Sequence, residues 1–342
     1  MKLWEYVLRR LLTLIPVLIG VTLITFILWK AIPVDPARAY MGPKAPEEDV
    51  ERLRVAWHLH DSLWDQYFWY MGNLLRGDLG DSFVNKEPVL SNLLPKIPAT
   101  LELTFYAMLF ALPVGVYLGI VSAAKRNQWI DHTSRFIAIL GVAVPIYWLG
   151  VMLKIFVHED LAAIGLNFLP LDGRLDSAPP ATFTGFYTID SLIAGDPGKF
   201  IEAFAHIALP AITLGFAQLA IILRMTRSGM LEVLGQDYVR TARAKGVAEK
   251  EVVFHHAFRN ATNSTLTVSG LTVGAALAGD VYVESIFRWN GIGQYFLQSA
   301  QAGGFTDLLG YVLIVTIFYV VANLVVDVLY AMLDPQVRLG GS

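Results

Sequence analysis

The sequence predicts an all-α polytopic membrane protein with about six transmembrane helices and a large extracytoplasmic segment after the first. Three observations lead there. Of 342 residues, 55% are hydrophobic and only 16% charged, against roughly 25% charged in soluble domains. Charge is absent from six runs, 11–29, 103–124, 136–153, 203–223, 260–279 and 308–326. Each is close to the roughly 20 residues a helix needs to cross a ~30 Å hydrocarbon core. The loops between the runs also alternate in charge. Residues 1–10 hold three Lys/Arg against one acid, 125–135 three against one, and 224–259 seven against four. The other loops are acidic: 30–99 holds eight basic residues against ten acids, and 158–204 two against seven. Basic short loops stay inside, so both termini are expected in the cytoplasm. The long 30–99 loop weighs little in that count.

The elements follow in order. Run 11–29 follows Lys2, Arg9 and Arg10. It reads as a membrane anchor rather than a cleaved signal, because the run outlasts a ~7–15-residue signal core and no A-x-A-like site follows in AIPVDPARAY. In the outer segment 33–99, acids after Pro46 start a helix through Leu59. A second helix over 63–75 carries Trp64, Tyr67, Phe68, Trp69 and Tyr70. It fits a helix at the membrane interface, and equally a small cap packed on the spans. Two prolines are expected to keep 88–102 extended until the second span starts. The outer loop 158–204 is rich in Pro and Gly and reads as irregular, with one short helix near 199–204. The fifth span, rich in Thr, Ser and Gly, is the weakest by hydropathy.

Residues 236–259, QDYVRTARAKGVAEKEVVFHHAFR, carry most of the functional information. Gln236–Lys245 and Lys250–Arg259 read as two short helices meeting at Gly246, which permits an angle between them. Thr241, Ala242 and Ala244 make a small-side-chain surface ringed by Arg240, Arg243 and Lys245. Small residues let a helix seat deep in a partner's groove, and charges fix its register. An ordinary basic inner loop explains the charge alone.

That segment resembles the coupling loop of ABC-importer permeases, in the dipeptide/oligopeptide branch. Other segments agree in order: GDLGDSF (77–83), PV (88–89), IPATLELT (97–104), GVAVPIYWLG (141–150), RMTRSGMLEVLGQDYVRTARAKG (224–246), VESIFRWNGIG (283–293) and DPQVRLG (334–340). The resemblance covers nearly all of the chain outside 158–204. It departs at RNATNSTLTV, where the branch usually has a Pro opening the next span, and at Asn290, commonly Pro.

The resemblance implies an ABC type I importer-like transmembrane domain. Residues 1–32 would form the tail and first span, 33–99 the extracytoplasmic segment, 100–333 the permease core with coupling loop 227–260, and 334–342 a cytoplasmic tail. It implies a second homologous permease, two cytoplasmic ATPases carrying the ATP and Mg, and an extracytoplasmic solute-binding protein. ATPase coupling would fall to Asp237, Tyr238, Arg240, Thr241, Ala242, Arg243, Ala244, Lys245 and Gly246. Cargo would be di- or oligopeptides or related solutes.

Asp280 and Glu284 share a helix face near the end of the fifth run. Intramembrane acids usually face a cavity or a partner. They either line the pathway or pair structurally, Glu284 with Arg288 and Asp280 with Lys154. Gly270, Gly274 and Ala278 form a small-residue stripe for close helix approach, within the chain or beside the pathway. An ion-coupled secondary transporter using Asp280 and Glu284 is the alternative function. The absence of a detectable inverted repeat argues against it.

The chain has no cysteine, which excludes disulfides, thiolate metal sites and Cys nucleophiles. Pro197-Gly198-Lys199-Phe200 lacks the upstream Gly and following Ser/Thr of a phosphate loop. The chain itself is expected to bind no cofactor and catalyse no reaction.

Overall fold

A computed structural model describes residues 3–31, 34–161, 163, 169–277 and 281–333. Apart from an isolated bridge between Asp81 and Pro88, the regular structure among these residues is helical. After α1 (Leu3–Ala31) come the short outer helices α2 (Pro36–Met41), α3 (Glu47–Ala56) and α4 (Leu63–Leu75). α5 (Val89–Leu93) leads through a 3-10 turn into α6 (Ile97–Ala124), followed by α7 (Trp129–Ala143), α8 (Ile146–Ile155) and α9 (Tyr187–Ile193). α10 (Pro197–Leu234) and α11 (Asp237–Ala244) lead to α12 (Glu249–Glu251), which passes through a π-turn (Val252–Ala257) into α13 (Phe258–Leu277). α14 (Val281–Ile286), α15 (Ile292–Ala302) and α16 (Phe305–Leu333) complete the described elements.

Four stretches are long and apolar enough to cross a membrane: Leu11–Ala31, Val89–Ala124, Pro197–Leu234 and Phe305–Val325. The expected third span is not one straight helix. It breaks between α7 and α8 with a 107° bend, and the bent pair makes a fifth candidate. Pro145 causes the break. It has no N–H to donate and forces the preceding residue out of helical geometry, so Val144 sits at ψ 123° and Pro145 at ψ 131°. α13 matches the weak fifth run. Its 20 residues have the length of a span, but buried Thr265, Ser269 and Thr272 lower its apolarity. Thr265 and Thr272 hydroxyls donate to the carbonyls of Ala261 and Ser269, so these two are satisfied within the helix, while the Ser269 hydroxyl has no hydrogen-bond partner among the described residues.

Three other expectations need correction. Residues 88–102 are helical, not extended, because Pro95 and Pro98 occupy the first turns of their helices, where the missing N–H costs nothing. The short helix near 199–204 is the start of the 38-residue α10, and α9 precedes it. α3 ends at Ala56 rather than Leu59, and His58 turns the chain at φ 55°.

α6 and α10 form the central pair. Side chains would not fit between them at the glycines: a Cβ on Gly119 would lie 2.6 Å from Thr226 Cβ, and one on Gly215 2.7 Å from the Ala107 carbonyl. Small residues thus bring the two backbones together. Met108, Ala111, Leu219, Ile222 and Leu223 fill the middle of this contact, and Ala138 of α7 packs against it. At one end Asp131 is fully buried. It accepts from Ser122 Oγ (2.7 Å), Arg227 Nε (2.7 Å) and the Asn127 amide (2.9 Å), tying α6, α7 and α10. α4 lies on α1, where Tyr67 hydrogen-bonds Thr22 and packs edge-on against Phe26. Its Trp64 and Phe68 remain exposed.

At the opposite end, Asp190 organises the loop before α9. Burial opposes its ionised form. The amides of Thr184 and Gly185 and the Thr184 hydroxyl, each within 2.9 Å, outweigh burial and hold the carboxyl below its ordinary value. A depressed carboxyl stabilises the folded state above the unfolded pKa of ~4 and loses that contribution as pH falls through the folded value. Hydrogen exchange of residues 183–190 should therefore be flat from pH 7 to 5, after correction for intrinsic rates, and accelerate below 4. Flat protection at pH 3 would show that Asp190 does not hold the loop.

Candidate functional site

The loop singled out in the sequence stands at the end of the bundle marked by Asp131. α10 runs to Leu234, and only Gly235 and Gln236 separate it from α11. Asp237 opens α11 in its first turn, where its charge complements the helix dipole. Gln236 is in extended geometry and supplies no side-chain cap. Thr241 Oγ1 donates to the Asp237 carbonyl at 2.9 Å, and Arg240 lies 3.5 Å from the Asp237 carboxylate.

α11 has a single anchor. Val239 is fully buried, while Asp237, Tyr238, Arg240, Thr241, Arg243, Ala244, Lys245 and Gly246 are exposed and Ala242 is half-buried. The sequence reading missed Val239. Its signal was a lone β-branched apolar residue amid charges. Tyr238 remains largely exposed but accepts a hydrogen bond from Asn260 Nδ2 (2.9 Å), which also donates to the His256 carbonyl. This joins α11 to the start of α13.

The turn after α11 requires Gly246. Its φ is +81°, and nothing lies within 4 Å of where a Cβ would stand. Backbone conformation, rather than space, therefore demands glycine. Across this turn Arg243 grips Glu249 with two bonds, Nε at 3.0 Å and Nη2 at 2.7 Å. That hydrogen-bonded guanidinium holds the Glu249 carboxyl below its ordinary value. The pair is exposed, so it fixes geometry more than it adds stability.

The second expected helix, Lys250–Arg259, is not a separate element. Glu249–Glu251 passes through the π-turn directly into α13. Val253, Ala257 and Ala261 pack with Ile120 and Ala123 of α6 and Met230 of α10. The loop is thus an exposed peg on a buried base, continuous with two long helices.

The expected pathway residues lie elsewhere. Gly270 and Gly274 are buried. A Cβ on Gly274 would stand 3.4 Å from the Tyr319 ring and 3.8 Å from Ala322 Cβ, so this part of the stripe packs on α16. Asp280 lies outside the described residues, as do 334–342. Glu284 is fully buried and accepts from Thr100 Oγ1 (2.6 Å) and the Gln294 amide (3.0 Å). Thr100 Oγ1 in turn accepts the Ile292 amide at 3.0 Å. Gly291 is needed here for close approach: a Cβ would stand 2.5 Å from both Glu284 oxygens. No ion pair joins Glu284 to Arg288 among the described residues, and Lys154 binds Asp172 at 2.6 Å.

One buried pair escaped the sequence reading. Glu102 accepts from Arg174 (2.5 Å) and from both the amide and hydroxyl of Thr188, and Arg174 stacks 3.6 Å over the Tyr187 ring. It pins the outer loop to α6.

Comparison with known proteins agrees with this architecture. Residues 115–339 match the family described as "Binding-protein-dependent transport system inner membrane component", and residues 3–104 match its N-terminal companion. The chain is 42% identical to the dipeptide transport system permease protein DppB of Alkalihalophilus pseudofirmus, over 97% of this chain and 99% of the relative. It is 42% identical to the DppB of Escherichia coli strain K12, over 98% of each chain. It is 35% identical to the oligopeptide transport system permease protein AppB of Bacillus subtilis, over 97% and 99%.

Proposed function

The chain belongs to the family of binding-protein-dependent transport system inner membrane components, and from that premise we propose how its inner loop works. It is a permease subunit of an ABC importer, a non-catalytic multi-pass protein of the inner membrane whose ATP is hydrolysed on a separate subunit. The ion-coupled alternative is not favoured by these relatives.

In the proposed reading the cargo is a di- or oligopeptide, as the relatives' names state for them. A second permease completes the pathway, two cytoplasmic ATPases bind below, and a solute-binding protein docks on 33–99 and the outer loop. Six spans place both termini in the cytoplasm, with α13 as the fifth and the bent α7–α8 pair as the third. The core is 100–333. Gly270, Gly274, Asp280 and Glu284 belong to the region flanking the pathway, with the exposed Leu271 face of α13 turned toward the sister permease.

The observation carrying the coupling role is the single buried anchor of α11. Asp237, Tyr238, Arg240, Thr241, Ala242, Arg243 and Ala244 lie on one short helix, with Lys245 and Gly246 in the turn after it; the helix rests on the π-turn, which in turn packs on α6 and α10. When the ATPases close, a push on this peg moves both helices, because the π-turn and the Val253–Ala257–Ala261 packing leave no slack between them. The two permease states must differ in affinity for the ATPase arrangement for ATP to drive the change.

Gly246→Pro and Ala242→Trp should abolish ATP-coupled uptake while leaving membrane insertion intact. Proline fixes φ near −65°, opposite in sign to the +81° observed, and tryptophan fills the shallow face that meets the groove. Uptake by reconstituted complexes, with membrane content measured by immunoblot, checks both. Wild-type uptake in either variant would sink the assignment.

A further inference from the structure

At the end of the bundle opposite α11, a second polar cluster has no part in coupling. Glu202 and His206 are four residues apart on α10, hence on one helix face. Asp176 reaches the same point from the outer loop. The nitrogen and oxygen atoms these three offer lie within 4.8 Å of one another.

The histidine tautomer is fixed by its surroundings. His206 Nδ1 lies 3.0 Å from the Asp172 carbonyl and 3.2 Å from the Gly173 carbonyl. Both are acceptors only, so Nδ1 carries the hydrogen. In the neutral ring Nε2 then presents a bare lone pair. The His206 side chain is wholly buried, and its Nε2 has no hydrogen-bond partner. It faces the Asp176 carboxylate at 3.5 Å, too long for a normal N–H···O bond. Carboxylates offer no donor, whereas a bound cation would satisfy the Nε2 lone pair and both carboxylates together.

We propose that His206, Glu202 and Asp176 form a binding site for a borderline divalent cation of the zinc type. Imidazole with carboxylates suits such an ion better than Mg²⁺ or Ca²⁺, which prefer all-oxygen shells. Bonds of about 2.0–2.1 Å in tetrahedral geometry put neighbouring ligand atoms about 3.3 Å apart, close to the 3.5 Å between Nε2 and the Asp176 oxygen. Backbone carbonyls accepting the distal N–H of a ligating histidine are the usual outer support for such a site. Glu202 is held in the same way, accepting the Asp176 and Ser177 amides at 2.8 Å and Ser177 Oγ at 2.7 Å. Asp176 is 85% exposed, so it leaves an entry path and a fourth position for water. Two carboxylates neutralise the ion's charge. The ion cinches the outer loop onto α10, next to the point where Arg174 and Glu102 already pin it.

The test needs no transport assay. Tag-free full-length chain in nanodiscs, stripped with chelator, is titrated with Zn²⁺ by calorimetry. The expected result is one equivalent bound, undisturbed by excess Mg²⁺, with affinity reduced at least about tenfold in both D176N and H206Q. D176N changes an exposed side chain, so it reports on the site even if H206Q folds poorly. Failure of the wild type to take up one equivalent would overturn the proposal. Equal affinity in wild type and D176N would overturn it as well.

Discussion

Asp131→Ala should destabilise the chain by about 3 kcal/mol, the lower end for breaking a buried ion pair. The carboxylate is fully buried, and its removal leaves the Arg227 guanidinium with only the Ser122 hydroxyl (3.1 Å), deprives that hydroxyl of its acceptor and orphans the Asn127 amide. The lower end applies because Arg227 keeps 19% of its side-chain surface exposed, so solvent reclaims part of the loss. The measurement is the unfolding midpoint of the purified chain in lipid nanodiscs. The double variant Asp131→Ala/Arg227→Met removes both charges and should recover much of the loss, since an apolar pair of similar volume is often neutral. If Asp131→Ala unfolds at the wild-type midpoint, the network does not hold α7 to the central pair.

Gly291→Val should cost about 3 kcal/mol, combining overpacking with the loss of buried hydrogen bonds. Its side chain would displace Glu284 from Thr100 and Gln294 and open the turn that joins α14 to α15. Glu284→Gln is the informative companion. It keeps one oxygen for Thr100 but sets an amide donor against the Gln294 N–H, a loss of about 1–3 kcal/mol. If Glu284 is a structural cap, uptake by Glu284→Gln falls only in proportion to folded protein. Normal folding with abolished uptake would instead assign its charge to the pathway.

Four of the six expected runs lie in helices long and apolar enough to cross a membrane, and a fifth lies in a bent pair; a bilayer demands a property summed over about 20 residues, and one misplaced residue does not change the sum. The same summing hid the break at Pro145, since IAILGVAVPIYWLG is apolar on both sides of it. The prolines at 95 and 98 misled for a related reason: whether a proline ends a helix or begins one depends on the residues that follow. Gly246 was legible because a backbone requirement is local. Glu284 was legible as unusual but not as a cap, because Thr100 is 184 residues away and loop closure at that separation leaves no pattern. His206 and Asp176 failed to register together because only the folded outer loop makes them neighbours. Arg243 and Glu249 form a pair across a turn that helical spacing does not anticipate.

α10 has a consequence of scale. At 1.5 Å per residue its 38 residues span about 57 Å, longer than a ~30 Å hydrocarbon layer. Glu202 and His206 sit near one tip and α11 hangs from the other. Such a rod acts as a lever: a tilt of about 5° around its middle swings each tip by about 2.5 Å in opposite directions, given that length. Anything that grips the outer loop therefore loads the same beam from which α11 hangs.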